Sequence, residues 1–456
     1  MAGVSGAYAT MGGDFGVVSY NPAGLAEYMQ GEFTFTPAVY LTNSDASLAG
    51  AAQDLSRTKT RFGIANASVV FVGRPIASNW VNRNFAIGFN RVADFTQNFQ
   101  YSGKTTGSIT ERWAELSNGL SPNDLDDFEA GPAYESGAVF DFEEDLNYET
   151  DFEDPAQTVQ KEQEVTSTGS INELTLAVGG NYNHKISAGL TFGIPFVNFR
   201  EEKNYQESDG SDEIPFFDEL EYVETLNTSG VGVNVKAGLI FKPVQQFRIG
   251  LAVHTPSWYY LTDDFSTEVI YGFTDSNGSQ KFSTLSPDGT FDWRISSPWR
   301  FIGGIGTIIQ GETYRGLIDA DIEYVNYQQN SFNLTANSTD PFDREFEQDL
   351  NNQIEDKLGA SLNFKLGASL VFYHWRFRGG ISLIESPYVS DDGFNTTYSG
   401  GIGFRKDNFF MDFSYHQSHV SENSYTPYLI LNESRQQQVN TSFKPSNFKL
   451  TFGFKI

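Results

Sequence analysis

The final segment of the chain alternates almost without error. Phe448, Leu450, Phe452, Phe454 and Ile456 fall on one face, and Lys449, Thr451, Gly453 and Lys455 on the other. Successive side chains of a strand point to opposite faces, so one face is oily and the other wet. The rhythm recurs along all 456 residues. The longest apolar runs are a handful of residues, far below the roughly 20 that a spanning helix needs. Alternation without apolar helices predicts an all-β fold, a transmembrane antiparallel β-barrel.

Composition agrees. Only 39% of residues are apolar, yet 15% are aromatic, with 40 Phe and 22 Tyr beside 43 Gly. Rings supply interface girdles, and glycine lets strands curve and pack. The chain has no cysteine, which excludes thiolate zinc sites, disulfides and thiol nucleophiles. A net charge of −28 argues against nucleic acid as a partner. From Trp113 to Gln160 there are many Asp and Glu and no Lys or Arg, which reads as an exposed loop and not a core. Met1-Ala2-Gly3 lacks the basic start and apolar stretch of a signal peptide. A barrel destined for an outer membrane needs one, so the sequence is expected to begin after a removed leader.

Residues 1–30 do not alternate and form a separate N-terminal segment, with the barrel over 31–456. Strands are expected at about 31–42, 61–74, 83–101, 164–182 and from Ile186 onward. The sixth covers Val231 to Phe241 and the seventh starts at Phe247. The eighth to tenth fall at about 288–309, 314–330 and 357–373. The last four begin near Trp375, Thr396, Asn408 and Gln438. The total is about fourteen, an even number, as single-chain bacterial barrels have. Long polar loops are expected at about 43–60, 102–163, 205–222, 263–287, 331–356 and 421–437. Long loops belong outside and short turns inside, which puts both termini in the periplasm of a bacterial outer membrane.

Gly6-Ala7-Tyr8-Ala9-Thr10-Met11-Gly12-Gly13-Asp14, followed by Tyr20-Asn21-Pro22-Ala23-Gly24-Leu25-Ala26, resembles the N-terminal hatch of the FadL/TodX family. Lys236 to Pro243 and Arg248 to Ser257 are similar to that family's paired mid-barrel strands, and the chain is most similar to its Bacteroidetes branch. The resemblance implies a barrel plugged by its N-terminal hatch, with Asn21, Pro22, Ala23 and Gly24 as the hatch motif. It implies passive transport of long-chain fatty acids or other hydrophobic molecules. The ligand would be captured outside and leave sideways through a kink in strand three.

The residues themselves offer candidates. Arg91 falls on the same face as Phe85, Ile87 and Phe89, the lipid face. A charge near the midplane costs roughly 2–4 kcal/mol, so Asn90, Arg91, Ala93 and Asp94 mark either a lateral opening, a bulge, or a strand already among headgroups. Lys236, Arg248, Arg376 and Arg378 face inward, where a carboxylate ligand could meet them. Such cations also pair with carboxylates across a bore, as Arg248 could with Asp319 or Asp321. Asp412 and His416 share one face of strand thirteen, but no metalloprotease motif or nucleophile elbow occurs. The expectation is no enzyme, no cofactor and no metal. The expected partners are outer-membrane lipid and lipopolysaccharide, a hydrophobic small-molecule ligand, and proteins reached through the extracellular loops. The alternative function is an accessory or scaffold barrel in a secretion or assembly complex.

Overall fold

Strand fourteen pairs antiparallel with strand one from Glu32↔Lys455 to Leu48↔Val439, and this seals the sheet into a closed barrel in the computed structural model. The structure describes residues 2–51, 54–152, 154, 156–211, 213–334, 341–391, 393–420, 423–432 and 435–456. Met1 and parts of the expected loops 43–60, 102–163, 205–222, 331–356 and 421–437 lie outside the described residues.

The barrel has fourteen antiparallel strands. Strand one is Glu32–Leu48, two Asp54–Gly73, four Thr158–Tyr182, five Ile186–Ser208 and six Phe217–Phe241. Four strands are interrupted: three (Trp80–Asp94, then Gln97–Thr106), seven (Phe247–His254, then Trp258–Asp275), eight (Gly289–Ser296, then Arg300–Gln310) and nine, whose continuation Ser331–Leu334 pairs with the outer half of eight. Strand nine is Tyr314–Asn326, ten Ala360–Phe372, eleven Trp375–Glu385, twelve Phe394–Lys406, thirteen Phe409–His419 and fourteen Val439–Lys455. One rim carries short connections at 74–79, 183–185, 242–246, 311–313, 373–374 and 407–408. The opposite rim carries the long ones, except between strands one and two, which end and begin at Leu48 and Asp54.

The outer wall is apolar. Leu190, Leu251, Phe301, Ile305 and Leu366 are each about half exposed, and they belong to a continuous band of exposed Phe, Leu, Ile and Val. In water such a band would be an aggregation surface; in hydrocarbon it is the solvated face. The inward face is polar, with Asp319, Asp321, Glu323, Lys236 and Arg378 all buried. Among the described residues no helix is long and apolar enough to cross a membrane.

Two expectations are corrected. Strands one, two and four to seven run farther than the alternation suggested, reaching Leu48, Asp54, Thr158, Ser208, Phe217 and Asp275 at the long-loop rim, so most of the expected loop 43–60 is strand. Nor is the acidic stretch after Trp113 a solvated loop. It folds into helices Ile109–Ser117 and Ala130–Glu135 and packs on the inner side of those tall strands. Ser108 caps the first helix, accepting from Thr110 N at 3.1 Å while Glu111 reaches back to the Ser108 amide. Trp113 is fully buried, edge-on to Tyr222 at 5.4 Å between centroids. Buried Glu207 of strand five ties the insert down. It accepts from Ser108 Oγ (2.5 Å), Ile109 N (3.0 Å) and Tyr205 Oη (2.6 Å). Burial pushes this carboxyl above the usual carboxylate range, against the pull of Lys161 and its three donors. Most of the carboxylates are exposed while Trp113 and Tyr148 are buried, so the insert is an amphipathic cap.

Trp113→Ala is expected to remove about 3–5 kcal/mol of packing from the insert. Limited proteolysis should then cut within residues 107–157 many times faster, while the barrel keeps its heat-resistant mobility on gels.

Candidate functional site

The N-terminal segment forms three short 3-10 turns, Ala2–Val4, Phe15–Ser19 and Pro22–Glu27. Asn21 starts the last: its side-chain oxygen accepts from Ala23 N at 3.1 Å, and Pro22 supplies a preset φ at the first turn position. The Asn21 amide donates to Ala9 O at 2.5 Å, which stitches the two halves of the segment together. Ala23, Leu25 and Ala26 are fully buried, and a side chain at Gly24 would meet Val17.

This segment lies against the inward faces of strands two through thirteen. Asn82 donates to Ala26 O and Tyr28 O at 2.9 Å each, and Asn84 to Leu25 O at 2.8 Å. Thr191 Oγ1 donates to Val18 O, and His254 Nε2 meets Tyr20 O at 2.8 Å. Asp321 accepts from Tyr8 N (2.7 Å) and Ala9 N (2.9 Å), and Asp319 from Thr10 N (3.2 Å) and Thr10 Oγ1 (2.9 Å). Approach is closest where the wall has no side chain. A methyl on Gly250 would collide with the Ala9 carbonyl, and one on Gly238 with Asn21.

The inward cations are mostly consumed. Lys236 sits on Glu173 at 2.6 Å, Lys365 on Glu323 at 2.7 Å and Arg378 on Asp412 at 3.2 Å. Arg248 reaches Glu27 of the segment at 3.6 Å and donates to Thr10 O at 3.3 Å. The pairing of Arg248 with Asp319 or Asp321 is not formed, because those carboxylates hold backbone amides of the segment instead. Arg376 makes no ion pair among the described residues, and its Nε is buried without a partner. His416 faces Asn447 at 3.5 Å.

Strand three behaves unusually at the expected place. Its ladder with strand two runs from Gly73↔Arg83 to Asn66↔Asn90 and stops there. Beyond that point strand two continues to Asp54 paired with strand one alone. Its other edge carries no ladder, because strand three has a register shift between Arg91 and Ala93 and then breaks at 95–96. The unpaired edge lies level with outward Pro37, Val39 and Leu41, inside the apolar band. Arg91 does not face lipid. The extra residue, Val92, takes the exposed position, and the Arg91 guanidinium turns to Asp94 (3.0 Å), Asn172 (3.2 Å) and the Tyr40 ring (5.0 Å). A cavity of about 360 Å³ lies here, lined by inward Tyr40, His416 and Lys449 and outward Leu41 and Val92. The seam is tied to the segment, since Asn90 accepts from Asn66 Nδ2 (2.6 Å) and donates to Ser19 Oγ (2.7 Å).

Lys449 escaped the sequence reasoning although it lies on the wet face of the clearest strand. It forms no ion pair among the described residues, and only the three-dimensional course of strand three puts it beside the break in the ladder. A second cavity, about 860 Å³, lies at the long-loop rim among Phe140, Phe142, Phe152, Phe216 and Phe273.

Replacing Asp321 by Ala removes two charge-assisted bonds, each worth about 1.5–3 kcal/mol. The amides of Tyr8 and Ala9 should then exchange with deuterium orders of magnitude faster in purified protein, and Asp319→Ala should do the same at Thr10.

No protein-family model and no curated protein sequence matches the chain. Solved structures do. A FadL homologue from Pseudomonas aeruginosa matches with a TM-score of 0.53 at 12% identity, over 99% of this chain and 96% of that one. The toluene transporter TodX of P. putida matches with a TM-score of 0.50 at 10% identity, over 100% and 98%. The chain therefore shares the fold of the FadL/TodX barrels.

Proposed function

We propose that the protein is a passive channel of a bacterial outer membrane that carries hydrophobic small molecules, with the N-terminal segment as its hatch and the seam between strands two and three as its lateral exit. The interrupted ladder carries this reading. In hydrocarbon each unsatisfied backbone group costs several kcal/mol, so an unpaired edge inside the apolar band is retained for a use. The cavity at that edge has apolar residues on its membrane side and Tyr40, His416 and Lys449 on its bore side. An amphiphile such as a long-chain fatty acid fits that polarity: the tail leaves between Leu41 and Val92 while the carboxylate rests on unpaired Lys449. Lys236, Arg248 and Arg378 are weaker candidates for that carboxylate, being already matched by acids. Capture is driven by burial of apolar surface, at about 25 cal/mol per Å². The likeness in fold to a FadL homologue and to the toluene transporter TodX supports the same reading. The long-loop rim then faces outward and the termini lie in the periplasm.

A second reading, an accessory barrel of a secretion or assembly complex, is favoured by the folded cap. Phe142 and Phe216 are 78% and 60% exposed at its rim cavity, as docking residues would be. Stoichiometric subunits co-purifying from the native membrane would decide for it.

The test fills the seam. A side chain at Gly63 would press on the Arg91 guanidinium, with even a methyl only 2.6 Å from Nη1. Gly63→Trp is expected to abolish uptake of radiolabelled oleate and toluene by cells relying on this protein, with barrel folding intact. Lys449→Met should impair oleate alone. Undiminished uptake of both ligands by Gly63→Trp would remove the lateral route.

A further inference from the structure

A third cavity, about 570 Å³, lies at the short-turn rim, beneath Met11, Gly12, Gly13 and Tyr28 of the N-terminal segment. Six cations line it: Arg248, Arg315, Arg376, Arg378, Arg405 and Lys455. The chain has 58 acidic residues against 30 basic ones, so this concentration runs against its composition. Glu27 and Glu32 line it too, and the carboxylates in and around it are mostly engaged. Glu27 holds Lys242 and Arg248, Asp412 holds Arg378, and Glu32 accepts from Tyr28 Oη at 3.3 Å. Asp14 faces Arg378. Among the described residues, Arg315, Arg376 and Arg405 form no ion pair. The Nε atoms of Arg376 and Arg405 are buried without a hydrogen-bond partner, and Arg405 lies over the Phe410 ring at 4.6 Å.

We propose that this chamber is a binding site for a phosphate-type oxyanion, held between Arg376 and Arg405 with Arg315 at its mouth. Buried guanidinium donors without an acceptor are costly, and guanidinium groups crowded together repel one another. An oxyanion answers both, because its several oxygens match the planar forks of two arginines. The site is independent of the transport reading. The same chemistry is offered by free phosphate and by the headgroup of an anionic phospholipid.

The experiment uses the full chain in neutral detergent. Inorganic phosphate, against chloride at matched ionic strength, should raise the thermal midpoint of the parent protein, since a ligand of the folded state stabilises it. The apparent affinity should fall at least about tenfold in Arg376→Gln/Arg405→Gln. It should stay unchanged in Arg57→Gln, on exposed strand two. Arg315 is exposed, so Arg315→Gln keeps the fold and reports the same loss should the double variant misfold. In the lipid arm, the protein is taken from phosphatidylcholine–phosphatidylglycerol vesicles into native mass spectrometry. Phosphatidylglycerol retained by the parent and lost from the variants assigns the headgroup; a phosphate response without retained lipid assigns the free anion. Parent and arginine variants that respond alike to phosphate and retain lipid alike would overturn the proposal.

Discussion

Everything in this molecule rests on the backbone ladder that runs round the ring and closes between strands fourteen and one. Hydrocarbon offers the peptide groups no other partner, so the ladder is obligatory and any interruption in it is informative. Among the described strands the interruption between two and three stands within the apolar band. It is also where Arg61 and Arg91 fold inward, Arg61 donating to Gly169 O at 2.7 Å across the place strand three has left. The barrel is thus sealed by main chain almost everywhere and by side chains at one seam. Side chains can move where a ladder cannot, which makes the seam the soft part of a stiff wall.

The bore is arranged by the same low-dielectric logic. Charges inside it are paired or put to work on backbone amides, because an isolated buried charge is strongly unfavourable. Asp319 and Asp321 hold the chain between Tyr8 and Thr10; Glu27 returns the arrangement from the segment to Lys242 and Arg248. The segment is therefore bound by polar contacts spread over many strands, each modest alone.

Much of this was legible in the chain itself. Period-two alternation set the strand count and the inward positions of Lys236, Asp319, Asp321, Arg376 and Arg378, because side-chain direction in a strand follows from sequence alone. What alternation cannot see is a register slip. The single extra residue Val92 reverses the meaning of Arg91, turning an apparent lipid-facing charge into an inward one. Partner choice was equally hidden, since Glu27 lies outside any strand and no periodicity brings it to Arg248. The insert deceived for a different reason. Its carboxylates outnumber its rings, and composition averages over a helix whose one buried face, with Ile109 and Trp113, decides its fate.

The bare glycines of the inner wall carry a consequence for how such a barrel can be altered. At Gly189, Gly238, Gly250 and Gly380 the segment's own backbone or side chains occupy the space a methyl would need. The fit is thus a match between two main chains, with little adjustable material between them. A segment cut to these hollows is not an interchangeable part: transplanted into a related cylinder whose hollows fall one residue away, it would meet side chains where it needs none.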